Sequence, residues 1–134
     1  MTYTLTTTVD LAWAETLDRT RDALAAQGFG ILTEINVRST FEAKLGAEAA
    51  DAVGDYVILG ACNPALASRA LAAEPEIGAL LPCNVAVRRN RSEKTTTVEA
   101  IDPQTMVKLS AAPAIKEVAG DAATRLRKAL AAFE

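Results

Sequence analysis

Residues Asp55–Pro64 read DYVILGACNP, and this segment indicates the architecture of the chain more clearly than any other. Side chains along a strand alternate between its two faces, and Asp55–Cys62 has apolar residues on both. This pattern is typical of a strand in the middle of a sheet. Asn63 is a favoured helix cap and Pro64 a favoured first helical residue. The segment therefore predicts a central strand that runs directly into a helix, which continues to about Ala73.

Hydrophobic periodicity extends this pattern towards the N-terminus. Alternating threonines and apolar residues predict a half-buried strand at the start of the chain. The predicted elements are a strand over 3–9, a helix from an Asp10 cap to about Gln27 ended by Gly28, a strand over 29–37, and a short helix over 39–45. Residues 47–54 are an alanine-rich connector of ambiguous structure.

Towards the C-terminus, a hairpin is predicted from Leu81–Arg89 and Thr95–Ile101, joined by a polar turn. Asp102 is a predicted helix cap, and an apolar stripe from Ile115 to Phe133 predicts a long terminal helix. Five strands and two long helices with apolar faces predict a two-layer α+β domain.

In a two-layer domain the helices cover one face of the sheet, and the other face stays open. Leu32, Val57, Leu59 and Val85 are too many to lie together on the helix side, so some are expected on the open face. A ligand cleft or a partner subunit is the expected cover.

Composition limits the function more than it defines it. The chain has 134 residues, a length expected for a single domain over 1–134. It contains no His, which excludes His-based triads, imidazole metal sites and haem ligation by His. A net charge of −3 argues against a nucleic-acid partner, and aromatic residues are only 4%.

Motif searches exclude further classes. The chain has no phosphate-binding loop, dinucleotide fingerprint, C-x-x-C pair or nucleophile elbow, and no cofactor is expected. No apolar stretch is long enough for a membrane span, and the first residues do not form a signal peptide. A soluble cytoplasmic protein is expected, with its cysteines mostly reduced.

Cys62 and Cys83 are the candidate catalytic residues. Cys62 lies where a central strand meets a helix N-terminus, a position that favours the thiolate. Cys83 opens the next strand, so antiparallel pairing would bring the sulfur atoms together, with Asn63 and Asn84 as hydrogen-bond donors. Inert buried cysteines, reactive thiols, a metal site and a disulfide all remain open. Two thiolates without His do not complete a zinc tetrahedron, and no metal ligands are assigned.

Glu34 and Lys44 are the other candidate ligand-binding residues. A carboxylate within a strand must be solvated, paired or functional. Lys44 is a possible ion-pair partner for it, and both would lie near the open sheet face. A basic cluster is predicted at the tip of the hairpin, formed by Arg88, Arg89 and Arg91. It is either a solvated turn or a site that contacts phosphate.

The chain resembles the uncharacterised bacterial family called domain of unknown function 302. The resemblance is carried by segments along nearly the whole chain, namely Gly28–Gly30, Leu32–Ile35, Lys44–Gly46, Leu59–Pro64, Ala70–Leu71, Ile77–Gly78, Leu80–Val85, Asp102–Pro103 and Met106. It implies a fold similar to the TATA-binding-protein-like α+β class, with one curved antiparallel sheet, helices on one side and frequent homodimers. It implies no established activity, although some relatives are associated with sulfur metabolism.

Three functions follow from these patterns, and whether the protein is an enzyme is left open. The first is a small-ligand-binding module with a cleft at the Cys62/Cys83 junction, anchored by Glu34, Lys44 and the two asparagines. The second is a thiol- or sulfur-handling enzyme or carrier in which Cys83 resolves Cys62. The third is a homodimer with no chemistry, paired through the open sheet face.

Overall fold

A computed structural model describes residues 3–133. Its strands are β1 Thr4–Val9, β2 Gly30–Asn36, β3 Asp55–Cys62, β4 Cys83–Arg89 and β5 Thr96–Ile101. Its α-helices are α1 Trp13–Ala26, α2 Val37–Leu45, α3 Ala47–Val53, α4 Pro64–Ala73, α5 Gln104–Leu109 and α6 Pro113–Ala131. A 3₁₀ helix spans Pro75–Leu80.

The strands form one five-stranded sheet in the order β1-β5-β4-β3-β2, and every neighbouring pair is antiparallel. β3 therefore has neighbours on both sides, as its doubly apolar sequence predicts. The predicted α+β class with a five-stranded antiparallel sheet is confirmed.

Helices α1 and α6 contribute the apolar stripes that cover one face of the sheet. Val57, Leu59 and Ala61 on β3 are buried against them, together with Val85 and Val87 on β4. Burying these side chains stabilises the fold by about 1.5–3 kcal/mol for each large one. A second cluster joins α4, α5, α6 and the 3₁₀ helix.

Leu32, Val57, Leu59 and Val85 were not expected all to lie on the helix side. Three of them, Val57, Leu59 and Val85, do lie there together. Side chains alternate along a strand, so residues two apart lie on one face, and Leu59 pairs directly with Val85. Leu32 is the extra residue of a β-bulge between Ile31 and Thr33, and it is exposed.

Helix starts differ from prediction at two places. Asp10 does not cap α1, because the helix begins after Ala12 and has no side-chain cap. α2 begins at Val37, earlier than the Ser39 start predicted, because Asn36 Oδ1 accepts a hydrogen bond from the Ser39 N–H at 3.0 Å. The ambiguous connector contains helix α3.

Gly28 ends α1 as predicted, with φ of 86°, a conformation that side chains rarely adopt. Within residues 3–133, every helix is too short or too polar to cross a membrane.

Candidate functional site

A cavity of about 300 Å³ lies where the Cys62 end of β3 and the Cys83 end of β4 meet helices α4, α5 and α6. Alanines at 61, 70 and 122 leave this space open because larger side chains there would fill it. Its wall is nearly all apolar and includes both cysteines, with Phe29, Leu32, Ala61, Asn63, Leu66, Ala67, Ala70, Leu71, Gly78, Leu81, Pro82, Met106, Val118 and Ala122.

Both predicted cysteines contribute to this wall, although they do not face each other across the strands. Ala61, not Cys62, is the direct cross-strand partner of Cys83, so the two cysteines are offset by one residue in the strand register. Cys62 is half-buried, Cys83 is buried, and both are free thiols. The structure thus places both in one cavity without joining them in a disulfide.

Burial raises the pKa of the Cys83 thiol from 9.0 to about 11, and the nearby Cys62 charge adds to the effect. Cys83 is therefore a protonated thiol at neutral pH. A protonated thiol is a poor nucleophile, which weighs against Cys83 as a ready resolving group.

Asn63 and Asn84 lie on different faces of the sheet. Asn63 caps α4 as predicted, since its Oδ1 accepts a hydrogen bond from the Leu66 N–H at 3.2 Å, and it also lines the cavity. Asn84 pairs with Gly60 on the open face, where it is exposed. Of the two asparagines, only Asn63 lines the cavity together with the cysteines.

Glu34 and Lys44 do not line the cavity. Because of the bulge at Leu32, Glu34 pairs with Leu59 and lies on the helix side, where it forms an ion pair with Arg21 of α1. Lys44 lies in the last turn of α2, exposed and without an ion pair among residues 3–133. Glu34 therefore pairs with a residue that the sequence did not suggest.

A separate groove of about 750 Å³ crosses the open sheet face. In its wall the Arg88 guanidinium donates to Glu99 at 2.6 Å, and that bond raises the pKa of Arg88. Tyr56, Ile58 and Ala86 line the groove around the pair.

The predicted basic hairpin cluster is divided among separate partners. Arg88 pairs with Glu99, Arg91 pairs with Asp51 at 2.6 Å, and Arg89 donates to the backbone carbonyl of Leu11 at 3.3 Å. These contacts favour structural roles over a phosphate site. Among the residues described, no three His, Cys, Asp or Glu side chains are arranged to hold a metal ion.

Sequence reasoning missed the apolar half of the cavity. Leu66 and Ala70 are one helical turn apart on α4, and Val118 and Ala122 share the buried stripe of α6. Helical spacing could have identified each pair as buried. The sequence pattern does not show that the two helices meet around a space.

Comparison with known proteins agrees with this architecture. The model of the family "Domain of unknown function DUF302" matches residues 5–133. The chain belongs to the DUF302 family. Among solved structures it is similar to an uncharacterized conserved DUF302 protein from Bacillus stearothermophilus, with 30% identity, a TM-score of 0.86 and full coverage of both chains.

No curated protein matches the chain. The resemblance read from the sequence is thus confirmed, and family membership supplies a fold without a named activity.

Proposed function

We propose that this DUF302 protein is a small-ligand-binding module whose ligand occupies the Cys62/Cys83 cavity. The supporting observation is the cavity itself, about 300 Å³ with a nearly apolar wall. That volume is at the lower end of the range for small-molecule sites, which begins at roughly 300 Å³. The cavity lies on the helix side of the sheet, whereas the sequence suggested the open face.

The wall indicates the chemistry of the ligand. An apolar cavity of about 150 Å³ accommodates benzene. A cavity twice as large suits an apolar molecule of roughly six to twelve non-hydrogen atoms. The thiols of Cys62 and Cys83 and the thioether of Met106 make the wall soft and polarizable.

The ligand-binding proposal is tested by filling the cavity. Ala70 is buried in its wall, so Ala70→Leu places a larger side chain in the ligand space. Ala86→Leu is the matched control, because Ala86 lines the groove on the other face. Calorimetric titration with octan-1-ol should detect binding to the wild type and Ala86→Leu, and none to Ala70→Leu. Equal binding by all three would contradict the assignment.

A thiol carrier or enzyme is the second candidate function. The observation in its favour is that Cys62 is half-buried in the cavity wall, whereas Cys83 is buried and protonated. Iodoacetamide at neutral pH should therefore modify Cys62 first, as mass spectrometry of peptides would show. Modification of neither thiol in the folded protein, or of Cys83 first, would rule out a reactive Cys62.

The open face supports a homodimer as the assembly of this module. Apolar Ile58 and Tyr56 surround the Arg88–Glu99 pair, a surface with both signs of charge that a second copy related by a two-fold axis can complement. Light scattering at micromolar concentration should give a dimer for the wild type and a monomer for Ile58→Asp. A monomeric wild type would contradict this part of the proposal.

A further inference from the structure

Two polar side chains converge beside the apolar cavity, at the turn that follows α1. A Cβ built on Gly28 would lie 2.9 Å from Asn63 Nδ2 and 3.4 Å from Arg125 Nη1. Both side chains therefore pack against the same side of Gly28, with their two nitrogen atoms close to each other. Phe29, the next residue, and Asn63 itself both line the cavity. Arg125 does not itself line the cavity, so the donor pair lies at the edge of the wall, where Asn63 and Phe29 form it.

The Nδ2 amide group of Asn63 is available as a hydrogen-bond donor. Its Oδ1 accepts the Leu66 N–H, which fixes the direction of the side chain and leaves Nδ2 on the Gly28 side. Within residues 3–133, Nδ2 donates to no acceptor. An amide N–H₂ group offers two donors, so Asn63 can bind an acceptor that the chain itself does not provide.

Arg125 is held in place by two contacts that leave most of its donors unused. Its Nε donates to Asp121 Oδ1 at 2.7 Å, and its Nη1 donates to the Gln27 carbonyl at 3.0 Å. A guanidinium carries five N–H donors in a fixed plane, so further N–H groups stay available. Asp121 offsets part of the charge, yet it is substantially exposed, where an ion pair is weak.

We infer that the ligand of this cavity is a medium-chain monocarboxylate, whose apolar chain fills the cavity and whose carboxylate is bound by Asn63 and Arg125. The inference rests on the proposed ligand-binding function and names the class of ligand. A carboxylate accepts hydrogen bonds only, so it complements an amide donor and a guanidinium together. An apolar chain of about eight carbons matches the cavity volume.

The test compares octanoate with octan-1-ol, which has the same chain without the charge. Asn63→Asp keeps an oxygen that can cap α4 but replaces the amide donor with a negative charge. Arg125→Met removes the guanidinium while keeping an unbranched side chain. Arg127→Met is the matched control, because Arg127 is an exposed arginine on the same helix. Isothermal titration calorimetry measures both ligands on all four proteins.

Octanoate should bind the wild type and Arg127→Met equally, and should lose about tenfold or more in affinity on Asn63→Asp and Arg125→Met. Octan-1-ol should bind all four proteins within about threefold, because it makes no charged contact. Circular dichroism confirms that the variants are folded.

The two proposals fail in different ways. If octan-1-ol binds but octanoate does not, or if both variants retain full octanoate affinity, the carboxylate inference is overturned and the ligand-binding function stands. If neither compound binds the wild type, both proposals are contradicted for ligands of this size.

Discussion

The two faces of the sheet are built from the same strands and have opposite environments. On β3, Leu59 faces the helices and is fully buried, whereas its neighbour Ile58 lines the groove on the open face. On β4, Val87 is fully buried and Arg88 is paired with Glu99 at the surface. Ile58 is as apolar as Leu59, yet only Leu59 is fully buried. Burial on this sheet is therefore set mainly by which face the helices cover, and less by residue type. The candidate cavity lies at one end of the covered face.

The largest expected effect is on the covered face. Leu59→Ala should lower the free energy of unfolding by about 2–5 kcal/mol, because it leaves a void in a close-packed core. Ile58→Ala should cost about 1 kcal/mol or less, since its side chain is only half-buried. Urea denaturation followed by circular dichroism measures both. Both are measured at a protein concentration at which light scattering gives a monomer, because a dimer paired through the open face would bury Ile58. Equal losses in the monomer would contradict the difference between the two faces.

The next effect in size is alkaline loss of stability through Cys83. Its pKa is raised from 9.0 to about 11 in the folded chain, so the unfolded chain loses the proton first as the pH rises. The stabilisation is therefore complete below pH 9 and is lost as the pH approaches 11. The loss should be about 2–3 kcal/mol.

Cys83→Ala removes this loss, and other alkaline titrations cancel when the two proteins are compared. Urea melts at a series of pH values give the difference. A wild-type curve parallel to that of Cys83→Ala would show that the thiol is not desolvated.

A smaller effect is expected at Gly60, on the open face. A Cβ at this position would lie 2.1 Å from Thr33 Oγ1 and 2.9 Å from Pro82 Cγ. Gly60→Ala should therefore cost about 1–3 kcal/mol through overpacking. Thr33→Ala in the same chain removes the closer contact and should recover part of the loss. Thermal unfolding of the single and double variants measures this, and a neutral Gly60→Ala would show that the neighbours move freely.

The smallest effect is expected at the Arg88–Glu99 pair. More than a third of the Arg88 side chain is exposed, so the solvent screens the interaction. A double-mutant cycle with Arg88→Met and Glu99→Gln should give a coupling of about 0.2–1 kcal/mol, decreasing in about 1 M salt. The cycle is measured on the monomer, because a dimer paired through the open face would desolvate the pair. A coupling in the monomer that is several times larger and unaffected by salt would contradict the screening by solvent.

Much of the fold could be predicted because local patterns carry it. The doubly apolar Asp55–Cys62 segment predicted an interior strand, and the Asn63–Pro64 pair predicted the start of α4. Helix α3 was not predicted, because an alanine-rich segment has no hydrophobic periodicity to follow.

The candidate site could be predicted only in part. Strand order brought Cys62 and Cys83 to one cavity, as two consecutive antiparallel strands allow. The position of Glu34 could not be predicted, since the single extra residue at Leu32 changes the face on which later residues of β2 lie. The cavity depends on small residues from distant segments, such as Ala70 and Ala122, whose convergence is a property of the tertiary structure.

Methyl chemical shifts during an octan-1-ol titration show whether the ligand occupies the Cys62/Cys83 cavity, because methyl groups report both faces of the sheet at once. We expect ligand-dependent shifts at Ala70, Met106 and Ala122 in the cavity, with Ile58 and Ala86 on the open face unchanged. Shifts confined to Ile58 and Ala86 would contradict it, and so would a titration that moves none of these methyl groups.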